Sequence, residues 1–333
     1  MPTISLEFLD GERATFPAKS GETLLAAARR AGIRLSSDCE IGDCQTCRAT
    51  CLSGEIEYDE FASISLSQSE VEAGEILPCV VTAATDIEFR VPYERSKLVA
   101  AKPFSIKVEA VKRLSASVVS VSARMLGLAP LKFLPGQYVH LQVPGTSQWR
   151  SYSMANAPSE AKTLEFLVRL LDDGIMSRYL IERAAPGDVI QCRGPQGTFY
   201  LRSSARPLLM VAGGTGLAPM VSMLRQMVTS GDERKVKLCF GVNEERDLFF
   251  ADELNAIVAS LPHLEVRIAI ARGVPPVGIG SGVATDLIGS STLADTEVYL
   301  CGPPAMTECA RMLINERGAN AAAVFSERFV PSA

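Results

Sequence analysis

Apolar and polar residues follow three different patterns in successive stretches of this chain. In the first, Thr3–Phe8 and Ala14–Pro17 alternate about a turn at Asp10-Gly11, which predicts a strand pair. Ser20-Gly21-Glu22-Thr23 then opens a helix with an apolar face at Leu24, Leu25 and Ala28, stopped by Gly32. A cysteine-rich loop follows, and further strands run to Val91. The middle stretch, about Phe104 to Arg202, is written in short alternating segments with Gly and Pro between them. Strands are predicted at Ser105–Val111, Val118–Ala123, Tyr138–Val143, Leu164–Leu170 and Asp188–Cys192, and one helix at about Met176 to Arg183. Short strands at such spacing suit a small antiparallel barrel. From Arg206 the apolar runs become continuous, at Pro207–Ala212, Val236–Gly241, Glu265–Ile270 and Val298–Cys301, with helical stretches between them. That alternation predicts a doubly wound parallel α/β sheet.

Between the first two stretches, Glu94–Lys102 is charged and small and ends before Pro103, as a linker would. The expected organisation is a first domain over 1–93, a linker over 94–102, a barrel over 103–204 and an α/β domain over 205–333. A chain of 333 residues with 47% hydrophobic content can support several cores. No apolar stretch approaches the length of a membrane span. The start, Met1-Pro2-Thr3-Ile4-Ser5, has no basic region leading into an apolar run, so a cytoplasmic protein without disulfides is expected. Charge is unevenly spread. Residues 1–93 hold 16 Asp+Glu against 7 Lys+Arg, a balance of −9, while the remainder is +4. An acidic first domain steers toward a basic protein surface or simply stays well solvated; nucleic acid is not an expected partner.

The chemistry starts with Cys39, Cys44, Cys47 and Cys79, spaced C-x4-C-x2-C with the fourth far downstream. This is the plant-type spacing for a [2Fe–2S] cluster. One loop supplies three thiolates, so it needs the short and glycine residues that Ser36–Cys47 contains. The mixed sheet with one packed helix around it suits a small ferredoxin-like (β-grasp) module. Three other readings compete. A zinc site would ordinarily use two short cysteine pairs, and only Cys44 and Cys47 form one. A disulfide needs an oxidising compartment. A [4Fe–4S] site would recruit Cys51, but no proline follows it and the first spacing is four.

In the barrel stretch, Arg150-Ser151-Tyr152-Ser153 combines a guanidinium able to clamp a pyrophosphate with a phenol able to lie flat on an isoalloxazine ring. Gly174-Ile175-Met176-Ser177 opens a helix whose free amides suit a phosphate. Alone, the first pattern is most often a surface strand and the second a turn; Gly194-Pro195-Gln196-Gly197-Thr198-Phe199 closes the block in their company. The α/β stretch opens with a strand running into Gly213-Gly214-Thr215-Gly216-Leu217-Ala218-Pro219, a glycine turn that brings backbone close to a pyrophosphate. Pro219 stands where a Rossmann fingerprint has its third glycine or alanine, which disfavours an ordinary dinucleotide dehydrogenase. Tyr299-Leu300-Cys301-Gly302-Pro303-Pro304 supplies a second strand-end turn at the same edge.

Together, and in this order, these motifs resemble those of the three-module reductases of bacterial oxygenases, most closely the benzoate/anthranilate 1,2-dioxygenase reductase type, down to a Glu327-x-Phe329 ending. The resemblance covers essentially the whole chain. It implies a plant-type [2Fe–2S] ferredoxin domain, a six-stranded FAD-binding β-barrel and a nicotinamide domain like that of ferredoxin–NADP reductases. It places Arg150, Ser151, Tyr152 and Ser153 at FAD, with Val168 and Arg169, and puts Gly174, Met176 and Ser177 at its pyrophosphate. Gly213, Gly214, Thr215, Gly216, Cys301, Gly302 and Pro303 fall to the nicotinamide nucleotide. Ser153, Cys301 and Glu327 become the catalytic set, with Phe329 near the flavin's other face.

NAD(P)H releases two electrons as hydride and an iron–sulfur cluster takes one, so a flavin must stand between them. Hydride is expected to pass to flavin N5, with Cys301 and Ser153 shaping the approach. His140 and His263 lie outside every motif and read as structural. Glu244 and Glu245 suit a ribose 2′-hydroxyl, whereas Arg246 and Arg272 could pair with a 2′-phosphate; NADH is the expected donor and NADPH the less favoured one. The expected acceptor is the terminal protein of a Rieske-type aromatic-ring dioxygenase, served by a monomer. A cytochrome P450 or a di-iron monooxygenase is the alternative acceptor, and a redox-sensing module without turnover the alternative of another class.

Overall fold

The computed structural model describes residues 1–59, 62, 64–127, 129–160 and 162–329. The chain forms two compact units, one of Met1–Ala100 with Gln196–Thr198 and one of the rest.

The first unit contains β1 (Thr3–Glu7), β2 (Arg13–Pro17), α1 (Leu24–Arg30), β3 (Ala49–Ser53), β4 (Ile56–Tyr58), α2 (Gln68–Glu72), β5 (Glu75–Ile76), β6 (Val81–Ala83) and β7 (Ile87–Arg90). Its main sheet runs β2-β1-β7-β3-β5, and β1 is parallel to β7 but antiparallel to β2. The alternation read from Thr3 onward buries Ile4, Leu6 and Phe8 on one face. Leu24, Leu25, Ala27 and Ala28 of α1 are likewise buried. Thr23 accepts the Ala26 amide at 3.2 Å, satisfying one of the donors that a helix start leaves without an intrahelical partner. Beyond β7 the charged segment is anchored at Arg95. Its amide donates to Asp10 (3.0 Å), its guanidinium pairs with Glu12 (3.1 Å) and packs over the Phe8 ring.

The second unit begins with β8 (Lys102–Arg113), β9 (Val118–Leu126), β10 (Tyr138–Gln142), β11 (Trp149–Ser153), β12 (Thr163–Arg169), α3 (Ile175–Glu182) and β13 (Val189–Gln196). The six strands run β11-β10-β13-β8-β9-β12, and an antiparallel bridge between Met154 and Phe166 brings the two edge strands together, so the sheet nearly closes. Ile106, Val121, Val139, Leu141, Phe166 and Ile190 fill its interior. Five of the strands lie where alternation predicts them. β11 carries Trp-Arg-Ser-Tyr-Ser, which has no apolar alternation to reveal it.

The remaining elements are β14 (Leu208–Gly213), α4 (Leu217–Ser230), β15 (Val236–Val242), α5 (Ala251–Ser260), β16 (Leu264–Ile270), β17 (Gly280–Ser281), β18 (Glu297–Gly302), α6 (Pro304–Glu316) and β19 (Val324–Arg328). All six strands are parallel, in the order β17-β16-β15-β14-β18-β19. Strand order reverses between β14 and β18, and ligands bind at the carboxyl edge beside such a switch point. One core joins barrel and sheet: Val118, Ala155 and Leu167 share it with Phe199, Met210, Met220 and Leu224. α4 fastens that junction, because Ser222 donates to the Asn156 carbonyl (2.7 Å) and Arg225 to that of Ala155 (3.0 Å). Among the described residues no helix is long and apolar enough to cross a membrane.

Candidate redox and nucleotide sites

The cysteine loop curls because Glu40, Gly42 and Gln45 all take left-handed backbone, with φ of 58°, 87° and 57°. This bend lets amide N–H groups reach the sulfurs. The Cys44 amide donates to Cys39 Sγ (3.3 Å) and the Cys39 amide to Cys44 Sγ (3.4 Å). Cys47 Sγ lies 3.3 Å from Cys79 Sγ. The four thiols thus stand in two pairs. Cys39 is pulled below the ordinary thiol range by the Cys44 thiol and then by the amides of Ile41, Cys44 and Asp43. Cys79 is lowered by the Cys47 thiol and the Gly42 amide, against the pull of burial. Two thiol pairs ringed by amide donors fit a cluster of two irons, each held by two protein sulfurs. Every cysteine is a free thiol. Cys51 lies outside the loop on β3, with its thiol directed at the Ser53 carbonyl.

Sequence reasoning missed what holds this loop. Arg48, next to Cys47, donates to Glu70 (2.8 Å) and Glu75 (2.9 Å), and Gln45 donates to the Ser65 carbonyl (2.8 Å). Glu70 also caps α2 reciprocally with Ser67, and that S-x-x-E box was the one signal available in the sequence. Glu70 is 4% exposed, so replacing Arg48 with Met strands a buried carboxylate, at a cost of about 3–5 kcal/mol. Cluster absorbance should then bleach at lower urea, while fluorescence of the sole tryptophan, Trp149 in the barrel, keeps its midpoint.

On the barrel, β11 presents Arg150, Ser151, Tyr152 and Ser153. Arg150 lies along its own strand, donating to the Trp149 carbonyl and Gln148 Oε1. The Tyr152 ring packs on the barrel core, and burial pushes its phenol up, so it presents a neutral face. His140, read as structural, stands opposite Ser151 in register with Nδ1 3.0 Å from its hydroxyl. Val168 is buried near the end of β12 and Arg169 is exposed there. Gly174 caps α3. A Cβ there would sit 2.7 Å from Ser177 Oγ, whose hydroxyl accepts the Leu171 amide at 2.8 Å. The tight turn leaves the first amides of α3 without intrahelical partners beside the buried Met176 and Ser177, a setting that suits a phosphate. The barrel residues therefore fit FAD: a flat neutral phenol, a guanidinium and a helix start.

At the switch point, β14 runs into a single turn of 3-10 helix over Gly214–Gly216 and then α4. A Cβ on Gly216 would lie 2.2 Å from the Cys301 carbonyl oxygen, and one on Gly213 would lie 2.6 Å from Met306 Sδ. Only glycine permits this contact of turn against Cys301–Pro303. Thr215 is buried beside it. Pro219 falls in the first turn of α4, where a missing N–H costs nothing. β19 lies beside β18 with Cys301 opposite Glu327 and Gly302 opposite Arg328, and the Phe329 amide donates to the Gly302 carbonyl (3.0 Å). Ser153 Oγ donates to Glu327 Oε2 (3.3 Å) across the junction of barrel and sheet. The three expected catalytic residues are thus gathered in one place. Cys301 is fully buried, and burial followed by the Glu327 charge pushes its thiol well above the ordinary range. After β15, Glu244 pairs with Arg246 at 2.8 Å. The Arg246 carbonyl accepts the Ala116 amide (2.9 Å) and Asp247 accepts the Ser117 hydroxyl (2.6 Å), which fix that turn on the barrel. Arg272 is exposed, its amide bonded to the Asn243 carbonyl.

Comparison with known proteins accords with this geometry. Family models match for a 2Fe-2S iron-sulfur cluster binding domain over residues 7–84, an oxidoreductase FAD-binding domain over 105–200 and an oxidoreductase NAD-binding domain over 210–312. The toluate 1,2-dioxygenase electron transfer component of Pseudomonas putida is 36% identical, over 99% of both chains. The anthranilate 1,2-dioxygenase electron transfer component of Acinetobacter baylyi is 33% identical, over 99% of this chain and 98% of its own. Among solved structures, the Amycolatopsis cytochrome P450 reductase GcoB superposes with a TM-score of 0.73 at 28% identity, covering 98% of this chain and 99% of that one. Sulfur loop, barrel, switch-point edge and full-length likeness converge: this chain belongs to the family of oxygenase electron-transfer components built from ferredoxin, FAD and nicotinamide-nucleotide domains.

Proposed function

We propose that the protein takes electrons from NADH and delivers them singly to the terminal component of a Rieske-type aromatic-ring-hydroxylating dioxygenase. The observation that carries this reading is the Ser153–Glu327 hydrogen bond, with Cys301 in register beside Glu327, in a chain that also holds four paired thiols in an amide-lined loop. When bound, FAD accepts hydride and releases electrons one at a time, and the [2Fe–2S] cluster carries them singly. The residues of the chain orient and exclude. Tyr152 offers a neutral flat face, Arg150 and the start of α3 take pyrophosphate charge, and Val168 and Arg169 border the same ligand. The Cys301 thiol, kept protonated by burial, fills the site's floor without adding charge and keeps water out. Ser153 holds the Glu327 carboxylate in one direction through its hydroxyl proton. Thr215, Gly302 and Pro303 shape the nicotinamide side, and Phe329 stands near the flavin's other face. Full-length likeness to two aromatic-dioxygenase components supports the acceptor, and the acidic first unit suits a basic docking face. We take the protein to act as a cytoplasmic monomer, where NADH is supplied.

The 2.8 Å pairing of Glu244 with Arg246 supports NADH: the cation is neutralised and the carboxylate faces a ribose hydroxyl or repels a phosphate. In Glu244→Ala the freed Arg246 should raise the NADPH-to-NADH ratio of kcat/KM about tenfold or more. An unchanged ratio in steady-state assays would assign the choice to other residues. The acceptor is tested by anaerobic mixing of NADH-reduced protein with purified aromatic-ring dioxygenase or cytochrome P450. Rapid oxidation by the dioxygenase alone upholds the proposal. Oxidation by the P450 alone favours the second reading, which the likeness to the Amycolatopsis reductase supports.

A further inference from the structure

Arg202 is a charged residue buried to 4% exposure immediately after the barrel, and no function above uses it. Its guanidinium lies between two aromatic faces, with Cζ 3.4 Å from the Tyr200 ring centre and 4.4 Å from that of Phe325. Its backbone amide donates to the Tyr299 hydroxyl (2.9 Å), and its carbonyl accepts from Arg234 (3.2 Å). Tyr299 and Phe325 form a cross-strand pair between β18 and β19, with rings 5.2 Å apart. Two residues further along the same strands, and so on the same face, the next such pair is Cys301 and Glu327. The guanidinium therefore clamps the aromatic rung directly below the rung that carries the hydride-site carboxylate and thiol.

We propose that Arg202 is a positioning residue for hydride transfer: stacked between Tyr200 and Phe325, it fixes β19 against β18 so that Glu327 stays aimed at Ser153. This rests on the reading of Ser153, Cys301 and Glu327 as the hydride site. A planar cation suits the role because it stacks on two rings at once, which an ammonium on a flexible stem cannot do. A purely stabilising role predicts something different: the unfolding midpoint would fall while the folded variant kept its hydride-transfer rate.

The test uses the full-length protein with FAD and cluster in place. In Arg202→Leu, single-turnover flavin reduction by NADH should slow by about tenfold or more, because small misplacements at a reacting centre are costly. KM for NADH should stay within about threefold and the FAD content should be unchanged. Hydrogen exchange of the amides of 324–329, measured without FAD as well, should quicken while the unfolding midpoint holds. Arg202→Lys should recover no more than about a third of the lost rate. Phe325→Leu, which keeps Arg202 and removes one wall, should reproduce the defect and carries the test should Arg202→Leu not fold. Full hydride-transfer rates in Arg202→Leu or Phe325→Leu, or full recovery by lysine, would overturn the proposal. If Ser153→Ala and Glu327→Gln also leave the rate unchanged, the underlying site reading has failed instead.

Discussion

Replacing Cys79 with alanine is expected to cut NADH-driven reduction of cytochrome c by about 100-fold or more while NADH-driven reduction of ferricyanide stays within about twofold. The two acceptors draw on different parts of the chain. Ferricyanide is expected to draw electrons from the flavin, and cytochrome c to depend on the four-thiol loop. Cys79 is the remote member of the buried pair with Cys47, so its loss would leave Cys47 as the one thiol of the pair that could hold an iron. Cys51 cannot stand in, because it belongs to β3 and is directed at the Ser53 carbonyl. Iron content should fall toward zero, FAD content should hold, and Cys51→Ala should behave as wild type. A Cys79→Ala protein that keeps its iron, or a Cys51→Ala protein that loses it, would refute the assignment.

The second large effect belongs to Gly216. Its alanine variant should lose about 100-fold or more in NADH-driven flavin reduction, because a 2.2 Å approach of a methyl group to the Cys301 carbonyl cannot be relieved by turning a side chain. Either the 3-10 turn leaves β18 and the edge between them opens, or β18 shifts and carries Cys301 and, through its register, Glu327 with it. Chemical reduction by dithionite should remain normal, and FAD should still bind, since β11 and α3 are untouched. Rapid-mixing kinetics that show an undiminished rate would mean that the turn does not lie against the nucleotide.

Much of this architecture is legible in the sequence alone. Cysteine spacing is a local signal, and so are a strand running into glycines and a Gly before a helix, because a few neighbouring residues set the backbone conformation. Continuous apolar runs similarly reveal strands covered on both faces. β19 was harder: Val-Phe-Ser-Glu-Arg has too short a pattern to announce a strand, so its parallel pairing with β18 emerges only from the fold. That pairing turns a motif at the end of the sequence into a carboxylate beside Cys301. The Arg48 clamp and the Arg202 stack escaped for the same reason, since Glu70 lies 22 residues from Arg48 and Phe325 lies 123 residues from Arg202 in sequence. β11 was visible through its motif rather than its pattern.

The glycine turn pressed on β18 has a consequence for how such a protein changes over time. Where main chain meets main chain there is nothing to vary, so position 216 has to stay glycine for as long as that contact is kept. The turn at Asn243–Asp247 is different: Glu244 and Arg246 reach outward from a loop that the barrel already holds in place. If donor choice rests on that rim, as proposed, a switch of electron donor is expected to need only two or three side chains there, with the turn on β18 left as it is.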